Sequence, residues 1–291
     1  MRTLEDKVRD DLIKFQRDEI TEHHIYKYLS EVEEGENIRI LSRIADDELR
    51  HYNIWKEYTG EDVEPDWNRI RRYKLVYKIF GLVFALKLME QSEKQAEERY
   101  RMLAEELGIA KEVLEDEFEH EEEILKLLSD ERIEFIGSIV LGLSDALIEL
   151  TGALAGLSLA LNNTRLVGFA ALITGIAASM SMAVSEYLSK KSEGDPSAAK
   201  GAFYTGIAYI MTVLALVTPY FLIELPLAAL SSSIFIAATI IAVLTFYTSV
   251  VREVDWRRNY MEMLALTLGV ASITFTIGII IRTVFNIDVE I

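Results

Sequence analysis

The sequence predicts an all-α protein: a four-helix bundle followed by a domain of five transmembrane helices. Three observations carry that expectation. Through the first part of the chain apolar residues recur at spacings of three and four, the period of a helix with one buried face. From Phe135 onward five apolar stretches follow, each long enough to cross about 30 Å of hydrocarbon. Charge divides at the same place. Residues 1–132 hold 35 of the 47 acidic and 22 of the 30 basic residues, a net of −13, whereas 133–291 hold 12 and 8, a net of −4. Two domains, 1–132 and 133–291, are therefore expected.

The first helix runs from about residue 3 to 34 and breaks near Gly35; the second runs from about 36 to 58. Thr59–Asn68, with Gly60 and Pro65, reads as a connection. A third helical region spans about 70 to Leu107 and stops at Gly108, and a fourth runs from about Ile109 to Leu128. Within the third, the apolar stretch 75–89 contains Lys78 and Lys87 and is too short and too charged to cross a bilayer. Core or dimer interface is its expected place, with contact at a membrane surface as the alternative.

The spans are expected at about 135–161, 166–189, 203–224, 227–251 and 260–285. Lys190, Lys191 and Lys200 lie between the second and third, and Arg252, Arg257 and Arg258 between the fourth and fifth. The opposite side has only Arg165 and, near the end, Arg282. The positive-inside bias thus puts the first domain in the cytosol and the C-terminus on the outer side. The opening MRTLEDKVRDDLIKF lacks an apolar run of signal-peptide length, which agrees. Gly152-x-x-x-Gly156 and the row Gly168, Ala171, Gly175, Ala178 allow close helix packing, within the chain or at a dimer seam.

Composition excludes several chemistries. There is no cysteine, so disulfides, thiolate metal sites and cysteine nucleophiles are absent. An acidic chain lacks the basic footprint that nucleic acid requires.

All four histidines, His23, His24, His51 and His120, fall in the first domain. Two close the same pattern, Glu48-x-x-His51 and Glu117-x-x-His120, and residues three apart share a helix face. A lone Glu stands seven residues before a Tyr in two other stretches, Glu19 to Tyr26 and Glu93 to Tyr100. One Glu from each of two helices and an E-x-x-H pair from each of two more is the arrangement a two-metal carboxylate centre needs. One E-x-x-H alone is weak; the duplicated order carries the argument. Such ligands suit iron, manganese or zinc, and bridging glutamates favour paired iron or manganese. Glu90, one turn before Glu93, is an additional or alternate ligand, and Glu22 has the same relation to Glu19. His23 and His24 lack a Glu at i−3 and are expected at the helix edge, with support of a ligand from behind as the alternative for one of them.

In the membrane domain, Asp145 lies about ten residues into the first span, about 15 Å deep. A charged group there is costly and marks a functional position. Glu149 sits one turn on, on the same face. Met182 and Glu186 are one turn apart near the cytosolic end of the second span, and Glu134 and Glu262 mark that end of the first and fifth. The picture is an acidic cytosolic mouth leading to a buried carboxylate, with a thioether that favours softer transition metals over Mg²⁺ or Ca²⁺.

Two resemblances follow from these residues. DEITEHHIY (18–26), DELRHY (47–52), LMEQSEKQAEERY (88–100) and DEFEHEEE (116–123) make the first domain resemble the rubrerythrin-like, or erythrin, branch of the ferritin superfamily. That resemblance implies a ferritin-like bundle, ligands Glu19, Glu48, His51, Glu93, Glu117 and His120 with Glu90 in addition, a di-iron site, and oxygen- or peroxide-linked iron chemistry. The cysteine centre of longer rubrerythrins is missing. GLSDALIELTGALAGL (142–157), SMAVSEYLSKKSE (181–193) and Pro219-Tyr220 resemble the vacuolar iron transporter family. That family implies a five-helix homodimer moving Fe²⁺, and often Mn²⁺, from the cytosol outward in exchange for H⁺, with Asp145, Met182 and Glu186 at its transport positions. Glu149 stands where a small polar residue is more usual, and the Glu-rich insert of plant members is absent.

The expected protein is an integral membrane exporter of ferrous iron whose first domain binds the ion. Whether that domain also acts as a ferroxidase stays open. A membrane-anchored ferroxidase or peroxidase without transport, and a manganese exporter, are the rivals.

Overall fold

The computed structural model describes residues 4–35, 37–107, 113, 116–117, 119–120, 123–124, 131–161 and 163–284, and excludes the side chains of 4–8, 92–107 and 131–135. Among the described residues there are eight helices and no strand. They are α1 (Leu4–Val32), α2 (Asn37–Thr59), α3 (Trp67–Leu107), α4 (Glu131–Leu161), α5 (Thr164–Ser192), α6 (Ala198–Leu222), α7 (Pro226–Arg252) and α8 (Trp256–Val284). The described residues between 113 and 124 are also helical; the remainder of the expected fourth helix lies outside the described residues. The chain forms two compact units, Met1–Asp130 and Glu131–Ile291.

In the first unit α1 packs along α2 and contacts α3. Its core is a row of large side chains at helical spacing: Phe15, Ile25, Tyr26 and Leu29 from α1 and Leu41, Ile44 and Trp55 from α2, all at most 2% exposed. Gly35, at φ 75°, supplies the left-handed turn between the two helices. Asp66 starts α3 by accepting from the backbone N–H groups of Asn68 and Arg69, at 2.9 and 3.0 Å. α3 is broken at Gly81, whose φ of 82° and ψ of −179° only glycine adopts readily. The break divides the apolar stretch 75–89. Leu82 to Leu86 and Met89 are buried core, whereas Leu75 and Ile79 are 58% and 62% exposed. One expectation covered the whole stretch; the kink gives its halves different environments.

The second unit contains five helices long and apolar enough to cross a membrane: Ile136–Leu161 within α4, and α5 to α8. α4 touches all four of the others. Its inner face (Leu147, Leu150, Leu154) packs with Val167 of α5, Tyr209, Val213 and Tyr220 of α6, and Ile241 of α7. The outward faces carry Ile173, Met180, Leu222 and Phe235 at 65–77% exposure, a distribution that suits lipid rather than water. Several span hydroxyls are satisfied within their own helix: Thr212, Thr218, Ser231 and Thr239 donate to the carbonyl four residues back.

Small residues permit the closest approaches. A Cβ on Gly278 of α8 would lie 2.4 Å from the Gly156 carbonyl oxygen, and one on Gly142 would lie 2.5 Å from that of Thr205. A Cβ on Gly168 or Gly175 would meet Tyr220 or Val213 of α6. The small-residue rows thus pack within the chain.

Candidate metal centre

α1, α2 and the helical residues 116, 117 and 120 turn polar side chains toward one another. Glu19, Glu48, His51 and Glu117 each offer one ligand atom, and those atoms all lie within 4.8 Å of one another. Glu19, Glu48 and His51 are at most 2% exposed, and Glu117 is half-buried. His51 Nδ1 stands 3.3 Å from Glu117 Oε1, 3.7 Å from Glu19 Oε2 and 3.8 Å from Glu48 Oε2. His120 Nδ1 lies 3.5 Å from Glu48 Oε1 and 4.0 Å from Glu117 Oε2. Glu48 and Glu117 therefore each direct one oxygen to one imidazole and the other oxygen to the second.

The outward nitrogens of the imidazoles are held in a crossed pattern. His51 Nε2 is 3.1 Å from Asp116 Oδ2, and His120 Nε2 is 3.2 Å from Asp47 Oδ2. The residue preceding each motif's Glu thus contacts the other motif's His. Arg50 joins the two aspartates, donating to Asp116 at 2.6 Å and to Asp47 at 3.2 Å. With the Nε2 N–H given to aspartate, a metal ion that displaces the Nδ1 proton meets an inward lone pair, the tautomer a ligand needs. Trp55 Nε1 donates to Glu19 Oε1 at 3.0 Å, so Glu19 keeps Oε2 toward His51.

Electrostatics follow from this crowding. Burial, reinforced by Glu117 and Glu19, raises the Glu48 carboxyl well above the usual carboxylate range. Burial would push the His51 imidazole down, but the surrounding carboxylates of Glu117, Glu19 and Glu48 outweigh it and raise it instead. Burial acts upward on Asp116, yet His51 and Arg50 hold it below its ordinary value. Three buried atoms in this pocket, Glu48 Oε2, His51 Nδ1 and His120 Nδ1, have no hydrogen-bond partner. Unpaired buried polar atoms are costly. A cation among three carboxylates and two imidazole lone pairs would satisfy all three, so the residues fit a metal ion.

Glu90 is buried but ion-paired to Lys87 Nζ at 2.7 Å and stands outside the group of four. Glu93 belongs to α3, with its side chain outside the described residues. Glu22 is tied to Arg69 at 2.7 Å. His23 is not at an edge: it is 7% exposed, with Nδ1 2.6 Å from the Ala45 carbonyl oxygen. The expectation followed from its missing i−3 Glu, which says nothing of what packs over it. Asp47, Asp116, Arg50 and Trp55 were not singled out from the sequence. The repeated Asp before each Glu-x-x-His was the available signal.

In the second unit Asp145 is half-buried rather than enclosed, and Glu149 is exposed on the single chain. The sequence gives depth along a span; which neighbours cover the face is a tertiary matter. Glu149 accepts a hydrogen bond from Tyr209 of α6 at 2.7 Å, a partner the sequence did not indicate. Glu186 accepts from Ser138 at 2.6 Å, and the Ser138 carbonyl accepts from Thr205 at 3.0 Å, which joins α4, α5 and α6 at that end. Met182 is half-buried against the core. Glu262 is exposed, and the Glu134 side chain lies outside the described residues.

No curated protein matches the chain. A family model described as the VIT family matches residues 136–200, covering the first two spans with Asp145, Glu149, Met182 and Glu186 and reaching the start of the third. With five apolar helices around that match, the second unit is a membrane domain similar to the VIT family.

Proposed function

We propose that the protein exports ferrous iron from the cytosol in exchange for protons, and that its N-terminal unit is a ferritin-like centre that binds the same metal. The observation carrying this reading is the coexistence of two features in one chain. One is the buried Glu19, Glu48, His51 and Glu117 group with its unpaired inward atoms. The other is the VIT-family match around Asp145.

In the membrane unit, Asp145 is the carboxylate the transported ion meets near the bilayer midplane, with Glu149 one turn further along. An empty carboxylate at that depth holds a proton until a divalent cation displaces it, so ion and proton compete for one position. That competition is a physical basis for exchange. Glu186, oriented by Ser138, and Met182 stand one turn apart toward the proposed cytosolic entrance. The acidic residues Glu134 and Glu262 belong to the same end. A homodimer is the assembly that the resemblance to the vacuolar iron transporter family implies.

In the N-terminal unit, Glu19, Glu48, His51, Glu117 and His120 would hold the metal. Glu93 and Glu90 complete the proposed set. Iron bound there would supply oxidation of Fe²⁺ by oxygen or peroxide. The protein's own part is to keep Nδ1 of both imidazoles inward through Asp116 and Asp47 and to hold Glu19 in place through the buried Trp55.

Proton flux in proteoliposomes, with Fe²⁺, Mn²⁺ and Zn²⁺ compared side by side, tests the proposal. Metal-dependent flux that Asp145→Asn abolishes, in protein of unchanged yield and monodispersity, is expected; undiminished flux in that variant rejects the transport reading. Absorbance after mixing the Fe²⁺-loaded protein with oxygen tests the oxidase role separately.

A further inference from the structure

The first half of α3 differs in charge from the rest of its unit. Residues 67–89 contain no Asp or Glu but six basic residues, in a domain whose net charge is −13 over 1–132. At about 100° per residue, Ile70, Tyr73 and Tyr77 fall on one face. That face is covered: Ile70 and Tyr73 are at most 9% exposed, and Tyr77 donates to Glu33 at 2.9 Å. Two of the basic residues are engaged there, Arg69 with Asp18 and Glu22, and Lys74 over the Tyr28 ring at 4.4 Å.

The opposite face points outward. Leu75 and Ile79 occupy its centre at 58% and 62% exposure. Arg71 and Lys78 run along one flank and Arg72 along the other, all exposed. None of these three forms an ion pair within 4 Å among the described residues, although the charge of Arg72 acts on Asp66 at the start of the helix. Trp67 marks the start of the helix at 52% exposure, and the Gly81 break ends it. Beside it, an open groove of about 590 Å³ between the two halves of α3 is lined by Arg72, Leu75, Val76 and Leu88.

Large apolar side chains flanked by unpaired basic ones form the pattern of a helix lying in a membrane interface. The apolar centre enters the acyl boundary, and the long basic side chains reach phosphate oxygens. A symmetric contact with a second copy would oppose Arg71, Arg72 and Lys78 to their own equivalents, which like charges disfavour. We infer that the outward face of α3 between Trp67 and Phe80 docks on the anionic lipid surface of the membrane that holds the C-terminal unit. The inference rests on the membrane reading of that unit and is independent of which metal, if any, either unit binds.

The cysteine-free chain lends itself to the test. Single-cysteine variants Ile79→Cys, and Glu57→Cys on α2 as an exposed control, are labelled with a fluorophore in the full-length protein. They are then reconstituted into vesicles of phosphatidylcholine with or without phosphatidylglycerol. Identical leaflets make the result independent of which way the protein inserts. In anionic vesicles the label at 79 should be quenched by doxyl lipid and shielded from acrylamide, and the label at 57 the reverse. Each basic residue near an anionic surface contributes roughly a factor of five. Arg71→Glu, Arg72→Glu and Lys78→Glu together should therefore lower the docked-to-free ratio by more than tenfold. Equal behaviour at 79 and 57 in anionic vesicles overturns the inference. So does shielding at 79 that is the same in neutral vesicles and in detergent, which would mark a second copy as the occupant. Retention in the vesicles after carbonate extraction shows separately whether the membrane reading stands.

Discussion

The crossed aspartates offer a sharp test of the metal centre. Asp116 Oδ2 accepts from both His51 Nε2, at 3.1 Å, and Arg50, at 2.6 Å. Asp116→Asn keeps an oxygen that can accept both but removes the negative charge that favours the Nε2–H tautomer and strengthens the bond. Charge-assisted hydrogen bonds are roughly twice as strong as neutral ones. Loss of such a partner behind a ligating imidazole lowers metal affinity by about 10–100-fold, or about 1.4–2.8 kcal/mol. Asp47→Asn should cost a similar factor, because Asp47 stands 3.2 Å from His120 Nε2. The assay is calorimetric titration of the detergent-solubilised full chain with Mn²⁺ or Zn²⁺, which are not oxidised during the measurement. An Asp145→Asn background removes the proposed transport position from the count. Glu48→Gln, which removes the carboxylate facing both imidazoles, should abolish binding to this unit. If Glu48→Gln binds as wild type does, there is no centre here. If only the two aspartate variants are silent, the imidazoles are not oriented in the way the crossed contacts imply.

Three further outcomes follow from the packing. Gly278→Val forces a Cβ to within 2.4 Å of the Gly156 carbonyl oxygen, so α4 and α8 must part; thermal unfolding in detergent should show a loss of about 1–3 kcal/mol, whereas Gly269→Ala, with nothing within 4 Å, should be neutral. Gly81→Ala places a side chain at φ 82°, ψ −179° and should destabilise the N-terminal unit by about 1–3 kcal/mol in a denaturant titration. Backbone hydrogen bonds from Arg69 and Asn68 hold Asp66 below its ordinary value. Its contribution is present above the unfolded value near pH 4 and disappears as pH falls through the lower folded value. Acid unfolding of Asp66→Asn should lack that part of the pH dependence, and a wild-type profile identical to the variant's below about pH 4 would contradict it.

Much of the architecture is legible in the sequence because it is written in local repeats. The five spans coincide with the apolar stretches within a few residues, since length and hydropathy suffice to define a helix in lipid. The placement of Glu19, Glu48, His51 and Glu117 on helices that could converge was readable from i, i+3 spacing and duplication. Glu90 shows the limit. Its spacing from Glu93 marks it as a candidate ligand, and the 2.7 Å ion pair with Lys87 is a contact that spacing alone does not reveal. The apolar stretch 75–89 shows another, because a single glycine at positive φ separates a core segment from an exposed one.

From the order of residues alone came the all-helical class, the five apolar spans, and the faces on which the carboxylates and imidazoles stand. Each depends on neighbours within two turns along the chain. Only the folded chain decided what those faces meet: Asp116 on His51, Asp47 on His120, Tyr209 on Glu149, and open space beside Leu75 and Ile79. Helical periodicity fixes a side chain's direction, while its partner comes from a helix tens of residues away and is chosen by how whole surfaces pack.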